Sequence, residues 1–171
     1  MVTSLALLLA AVTVLVPSVP RLRGASSRET AIIADLLARS PTARTLAARL
    51  TSVDVIVYVQ IDTKLPKGHG ATRFVTSTPA ARFVRISLAP AGHADDLAAL
   101  LAHELQHVLE IARAPDVVDD RGVRRLYQVI GNDRSATFAF ETVAAQEVAR
   151  DVRRELAHSS GRAADRPLGH P

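Results

Sequence analysis

Cysteine is absent from the 171 residues of this chain. That excludes a disulfide framework, a thiolate metal site and a cysteine nucleophile, so any metal must be held by histidine and carboxylate side chains. Tryptophan is absent too, and aromatics supply only 4% of the residues, which leaves few rings to stack on bases. Lysine is almost missing: Lys64 and Lys67 stand beside 19 arginines in a chain of net charge +4. Those arginines are scattered from Arg21 to Arg166 with no block of five or more, a pattern that argues against a nucleic-acid partner. Eight glycines and nine prolines are too few for a collagen-like or low-complexity chain. No apolar run reaches the length of about 18 residues that a membrane span needs.

The longest such run, Leu5 to Val16, is broken only by Thr13 and is followed by Pro17 and Pro20. Its length suits the apolar region of an export signal. Residues 1–24 are therefore expected to be a signal peptide, which places the protein in the periplasm or outside the cell. The alternative is an N-terminal anchor held back by Arg21 and Arg23, with membrane attachment only through residues 5–16. Residues 25–157 are long enough to bury a core without staples. The 29 alanines suggest that this core is mostly helical, built from Leu, Val, Ile and Ala.

Ser26 followed by Glu29 predicts a capping box opening a helix through Leu37, and Ser40-Pro41 predicts the start of a second. Val53 to Ile61 is β-branched and reads as a buried strand. Asp62 to Gly70 reads as a loop, and two more strands are expected at Thr72–Thr76 and Ala81–Leu88. Helices are expected from Asp95 to Ala112, where Pro115 follows, from Gly122 to Ile130, and from Ser135 to Ala157. Residues 158–171, polar and rich in Gly and Pro, read as a flexible tail. The layout is α+β.

The helix from Asp95 carries His103-Glu104-Leu105-Gln106-His107. Imidazoles four residues apart sit about 40° apart around a helix, near enough to hold one ion. The Glu after the first His is then placed to take a proton from water. This is the HExxH pattern of zinc peptidases. Leu97, Leu101, Leu105, Val108 and Leu109 form the opposite, core-facing stripe. Glu110, one turn beyond His107, faces the histidine side, where it can orient a ligating His or meet an arginine. Tyr127, on the short helix that follows, is the candidate to stabilise an oxyanion.

A tetrahedral site needs a third protein ligand and an open fourth position. The residues three and six beyond His107 are Glu110 and Arg113, which excludes the metzincin continuation of glycine and histidine. The next histidine is His158, so a carboxylate is the candidate. On the last helix, with Glu141 as zero, Val148 lies at about −20°, Val152 at about 20° and Ala145 at about 40°. Glu141 therefore falls in the middle of the apolar face, where a carboxylate requires a cation. Glu147 falls near Arg150 and Arg154 on the solvent side.

His103-Glu104-Leu105-Gln106-His107 with Glu141-Thr142-Val143-Ala144 downstream resembles the gluzincin group of zincin metallopeptidases, in which a second helix supplies a ligating Glu. The small size is similar to minimal gluzincin domains and to small exported bacterial proteins. The resemblance, covering Val53 to Leu156, implies a zincin-like fold: a small, mostly antiparallel, three-stranded sheet with an active-site helix and a second ligand-bearing helix. It implies one zinc ion on His103, His107 and Glu141, with Glu104 as general base in the hydrolysis of a peptide or protein substrate. It also implies that the strand from Arg82 to Leu88 edges the cleft and pairs with extended substrate. The alternative is a non-catalytic metal-binding or pseudo-peptidase interaction module on the same fold.

Overall fold

The computed structural model describes residues 20–131 and 141–164. In chain order its elements are β1 (Leu22–Gly24), α1 (Ser27–Arg39), α2 (Pro41–Leu50), β2 (Val55–Ile61), β3 (Gly70–Ser77), β4 (Arg82–Leu88), α3 (Ala94–Ala112), α4 (Asp120–Ile130) and α5 (Val143–Ala164). Helix starts follow the short polar residues. The Ser26 hydroxyl accepts from Arg28 N, Ser40 from Ala43 N and Asp119 from Gly122 N, each satisfying an amide that the first turn leaves orphaned. Glu29, the partner of Ser26 in the expected capping box, also accepts the amide of Ile61 at 3.0 Å, which ties α1 to the end of β2.

The sheet has four strands in the order β1-β2-β4-β3. Its β1–β2 and β2–β4 pairings are parallel and only β3–β4 is antiparallel, so the expected three-stranded, mostly antiparallel sheet is corrected. Leu22–Gly24, expected to belong to the leader, forms β1. Three residues are too few to show a periodicity, and the α1–α2 crossover from β1 to β2 gives the parallel direction that a hairpin cannot. The strand Arg82–Leu88 does not edge the cleft either. As β4 it is paired on both sides, and β3 is the outer strand, bulged between Phe74 and Thr76.

Val55, Val57, Val59, Val84, Ile86 and Leu88 are fully buried on one sheet face and share a core with Leu97, Leu101, Leu105 and Val108 of α3. Alternation along β2 and β4 places these residues on one side. Helix α3 also packs against α2 and α5. Glu155 of α5 takes hydrogen bonds from the Ser40 and Thr42 hydroxyls at 2.5 and 2.6 Å, a carboxylate at the positive end of α2.

The C-terminus of α3 is capped from the sheet. Buried Arg82 makes a two-pronged contact with Asp54 at 2.9 and 2.7 Å, and donates to the carbonyls of Ile111, Ala112, Ala114 and Val117 at 2.7–3.2 Å. A cation at that end of the helix also complements its dipole.

Helix α5 departs from expectation at both ends. It begins at Val143, and Glu141 and Thr142 precede it in non-helical backbone. The expected start at Ser135 lies outside the described residues. At the other end it continues through Ala164, so His158 to Ala164 are helical where a loose tail was expected; the Ser159 and Ser160 hydroxyls fold back onto Leu156 O. Among the described residues no helix is long and apolar enough to cross a membrane. The apolar run at 5–16 lies outside them.

Replacing Arg82 by Met keeps the bulk but strands Asp54 and four carbonyls. Asp54 is half exposed, so the loss comes mainly from carbonyls left without a donor and is expected to be about 1–3 kcal/mol in urea unfolding. Arg39→Met, at a pair with half-exposed Asp35 and Asp95, is expected to lose no more than about 1 kcal/mol. Equal midpoints for the two variants would refute the capping role. The hydrogen bond from Arg82 holds the Asp54 carboxyl below the ordinary carboxylate range. Its stabilising contribution is therefore present above the unfolded pKa of about 3.9 and lost as pH falls through the folded value.

Candidate metal centre

Helix α3 forms the floor of a cleft of about 580 Å³. His103, Glu104 and His107 face it, with the edge of β3 from Gly70 to Arg73 on one wall and α4 and α5 on the others. The Nε2 atoms of His103 and His107 stand 3.1 Å apart, with the two rings edge to face. Burial, and then the neighbouring His107, push the His103 pKa down, favouring the neutral imidazole that coordinates metals.

His107 is buried and held from behind. Its Nδ1 donates to Glu110 Oε2 at 2.9 Å, which leaves Nε2 as the acceptor facing the cleft. This is the arrangement in which a carboxylate sets the tautomer of a ligating imidazole. Glu110 is itself buried. Its Oε1 accepts from Thr142 Oγ1 at 2.8 Å and from Gln106 Nε2 at 3.2 Å. Burial raises its pKa, but the hydrogen bonds from His107, Thr142 and Gln106 outweigh that and hold it below the ordinary range.

Thr142 is the residue that sequence reasoning missed. Its hydroxyl accepts from Ala145 N at 3.1 Å while donating to Glu110, so it caps α5 and ties that helix to the back of the histidine pair. A Thr directly before a helical run is a capping signal, and it marks the start of α5 better than periodicity does. Its neighbour Glu141 is thereby brought to the cleft, with Oε1 3.5 Å from His103 Nε2 and Oε2 accepting from Gln146 at 3.2 Å. The physical argument that singled out Glu141 is corrected. Glu141 does not lie on a buried helical face but in the segment before the helix, about one-third exposed. Glu147 is exposed.

Glu104 is buried beneath the cleft, and Thr72 Oγ1 of β3 donates to its Oε2 at 2.7 Å. Burial pushes its pKa up, opposed by His107 and Thr72. The other carboxylate oxygen lies so close to Gly70 that a Cβ there would sit 2.4 Å from it. The missing side chain at Gly70 is what lets β3 lie over Glu104.

Tyr127 is buried on the cleft wall, edge-on to His107, and its hydroxyl donates to His107 O at 3.1 Å. Burial, and then Glu110, raise its pKa. An oxyanion role would require this hydroxyl to give up that bond. His93 is the exposed N-cap of α3 and His69 is exposed at the cleft mouth.

Among the described residues no three His, Asp or Glu side chains form a ready-made metal group; Glu141 contacts His103 but not His107. The donor chemistry nonetheless fits a zinc ion. Two tetrahedral ligands, each about 2.0–2.1 Å from zinc, stand roughly 3.4 Å apart. The His103–His107 and His103–Glu141 separations of 3.1 and 3.5 Å bracket that value. No family model, curated protein or solved structure matches this chain, so the chemistry of the site rests on its own geometry.

A double-mutant cycle tests the contact between Gly70 and Glu104. Gly70→Ala is expected to cost about 1–3 kcal/mol in urea unfolding, and much less in a Glu104→Ala background, where the crowded carboxylate is gone. Equal costs in the two backgrounds would show that the glycine serves some other purpose.

Proposed function

We propose that this chain is a zinc-dependent metallopeptidase of zincin-like architecture that hydrolyses peptide bonds, with His103, His107 and Glu141 as metal ligands and Glu104 as general base. One observation carries the reading: two imidazole Nε2 atoms 3.1 Å apart share the floor of an open cleft with a buried glutamate that no described arginine or lysine neutralises. A structural metal site has no use for that carboxylate. When bound, zinc supplies a Lewis acid that lowers the pKa of water to about 7.

The chain's own groups divide the remaining work. Glu104 takes the proton from the attacking water and passes it to the leaving amine. Its burial raises its proton affinity towards the working range, and Thr72 fixes the carboxylate in place. Glu110 keeps His107 in the tautomer that presents Nε2. The cleft-side edge of β3, unpaired in the sheet, offers amide and carbonyl groups to an extended substrate. The apolar segment at 5–16 makes export the location that goes with this activity.

Elemental mass spectrometry of the full chain should find about one zinc per molecule, strongly reduced in His107→Ala and in Glu141→Ala. Glu104→Gln should keep the metal while peptide hydrolysis falls by about 10²–10⁴. A well-folded parent that takes up no zinc, or a Glu104→Gln chain that cuts as fast as the parent, would overturn the proposal.

A further inference from the structure

The cleft walls carry cations that the peptidase reading does not use. On α5, Gln146, Ala149, Arg150 and Arg153 line the cleft, and intervals of three and four residues place them on one stripe of the helix. On α4, Asp120, Arg124 and Tyr127 do the same. Three arginines, from two elements, thus border the space above His103 and His107. A second, shallower recess lies between Arg150, Arg153 and Arg154 and shares the first two with the cleft. Arg73 also borders the cleft, but it is in register with Arg85, on the sheet face turned away from α3, and is set aside.

These arginines lack the partners found elsewhere in the fold. Arg39 holds two carboxylates and Arg82 holds one. Arg124 and Arg153 make no ion pair with any described residue. Arg150 reaches Glu147 only at 4.0 Å, with both side chains more than half exposed, a contact worth little. Among the described lining residues, Asp120 is the one carboxylate besides Glu104 and Glu141. Guanidinium groups without internal partners pair best with carboxylates, in two-pronged geometry.

We infer that the cleft selects peptides bearing acidic side chains, bound by Arg124, Arg150 and Arg153 on the α4–α5 wall. This inference rests on the reading of the cleft as a peptide-hydrolysing site. A nucleic acid fits it less well, because among the described lining residues Tyr127 is the one Phe, Tyr or Trp, and it is buried edge-on to His107, with little ring face for a base.

The test uses the full-length Glu104→Gln chain with zinc present, so that binding is read without cleavage. The probes are a fluorescein-labelled alanine hexapeptide with glutamate at two positions and its twin with glutamine there. The acidic peptide is expected to bind roughly tenfold or more tightly than its twin, with the preference weakening as salt rises. Adding Arg124→Gln, Arg150→Gln and Arg153→Gln together should abolish the preference. All three positions are exposed, so the fold should be kept, and a thermal melt checks that. Equal binding of the twins, a preference that survives the triple substitution, or tighter binding of a short single-stranded oligonucleotide would each overturn the inference. Zinc content and hydrolysis by the parent chain judge the peptidase reading separately. A zinc peptidase indifferent to carboxylates would retain that reading and lose this one. A metal-free chain that still prefers the acidic peptide through these arginines would do the reverse.

Discussion

The buried carboxylate of Glu110 is the constraint around which the cleft is arranged. A charge taken out of water must be met by donors, and its donors come from two parts of the chain. His107 and Gln106 lie within one turn on α3, and Thr142 reaches in from the start of α5. Meeting that need fixes the ring of His107 with Nε2 toward the cleft. It also pins the first turn of α5, and with it Glu141, beside His103. One buried group therefore aligns donors that are 38 residues apart in sequence, His103 and Glu141. Thr142, which caps the helix and bonds the carboxylate at once, is the joint.

A second set of contacts works from the sheet side. Gly70 and Thr72 of β3 enclose Glu104, one by lacking a side chain and the other by donating a hydrogen bond. Arg82 of β4 closes the far end of α3 by taking up four carbonyls. The helix that bears the histidines is thus held at its middle by the edge strand, at its C-terminus by the central strand and along its apolar face by the core. Such support is what a site needs if its geometry is to be kept within a fraction of an ångström.

The edge position of β3 follows from the spatial order of the strands. Because β4 lies between β2 and β3, the strand nearest the histidines has one side unpaired among the described residues. In many proteins such an edge invites aggregation. Here its first residues, from Gly70 to Arg73, open into the cleft, the edge on which the proposed extended substrate would pair.

Much of the local structure was legible in the sequence. Ser26, Ser40-Pro41 and the β-branched run from Val53 to Ile61 marked α1, α2 and β2, because caps and periodicity act over a few residues. The His103–Glu104–His107 spacing was legible for the same reason: helical geometry alone puts these side chains on one face, opposite the leucine stripe. Beyond that distance the sequence was mute. Strand β1 was too short to announce itself, and the parallel pairings depend on which strands meet. Glu141 was singled out through a helix that begins only two residues later, so its place beside His103 comes from the Thr142–Glu110 bond and not from a helical face. The arginines at 124, 150 and 153 read as scattered charge along the chain. Only the packing of α4 and α5 around α3 gathers them on one wall, because side chains far apart in sequence become neighbours through the burial of the apolar faces between them.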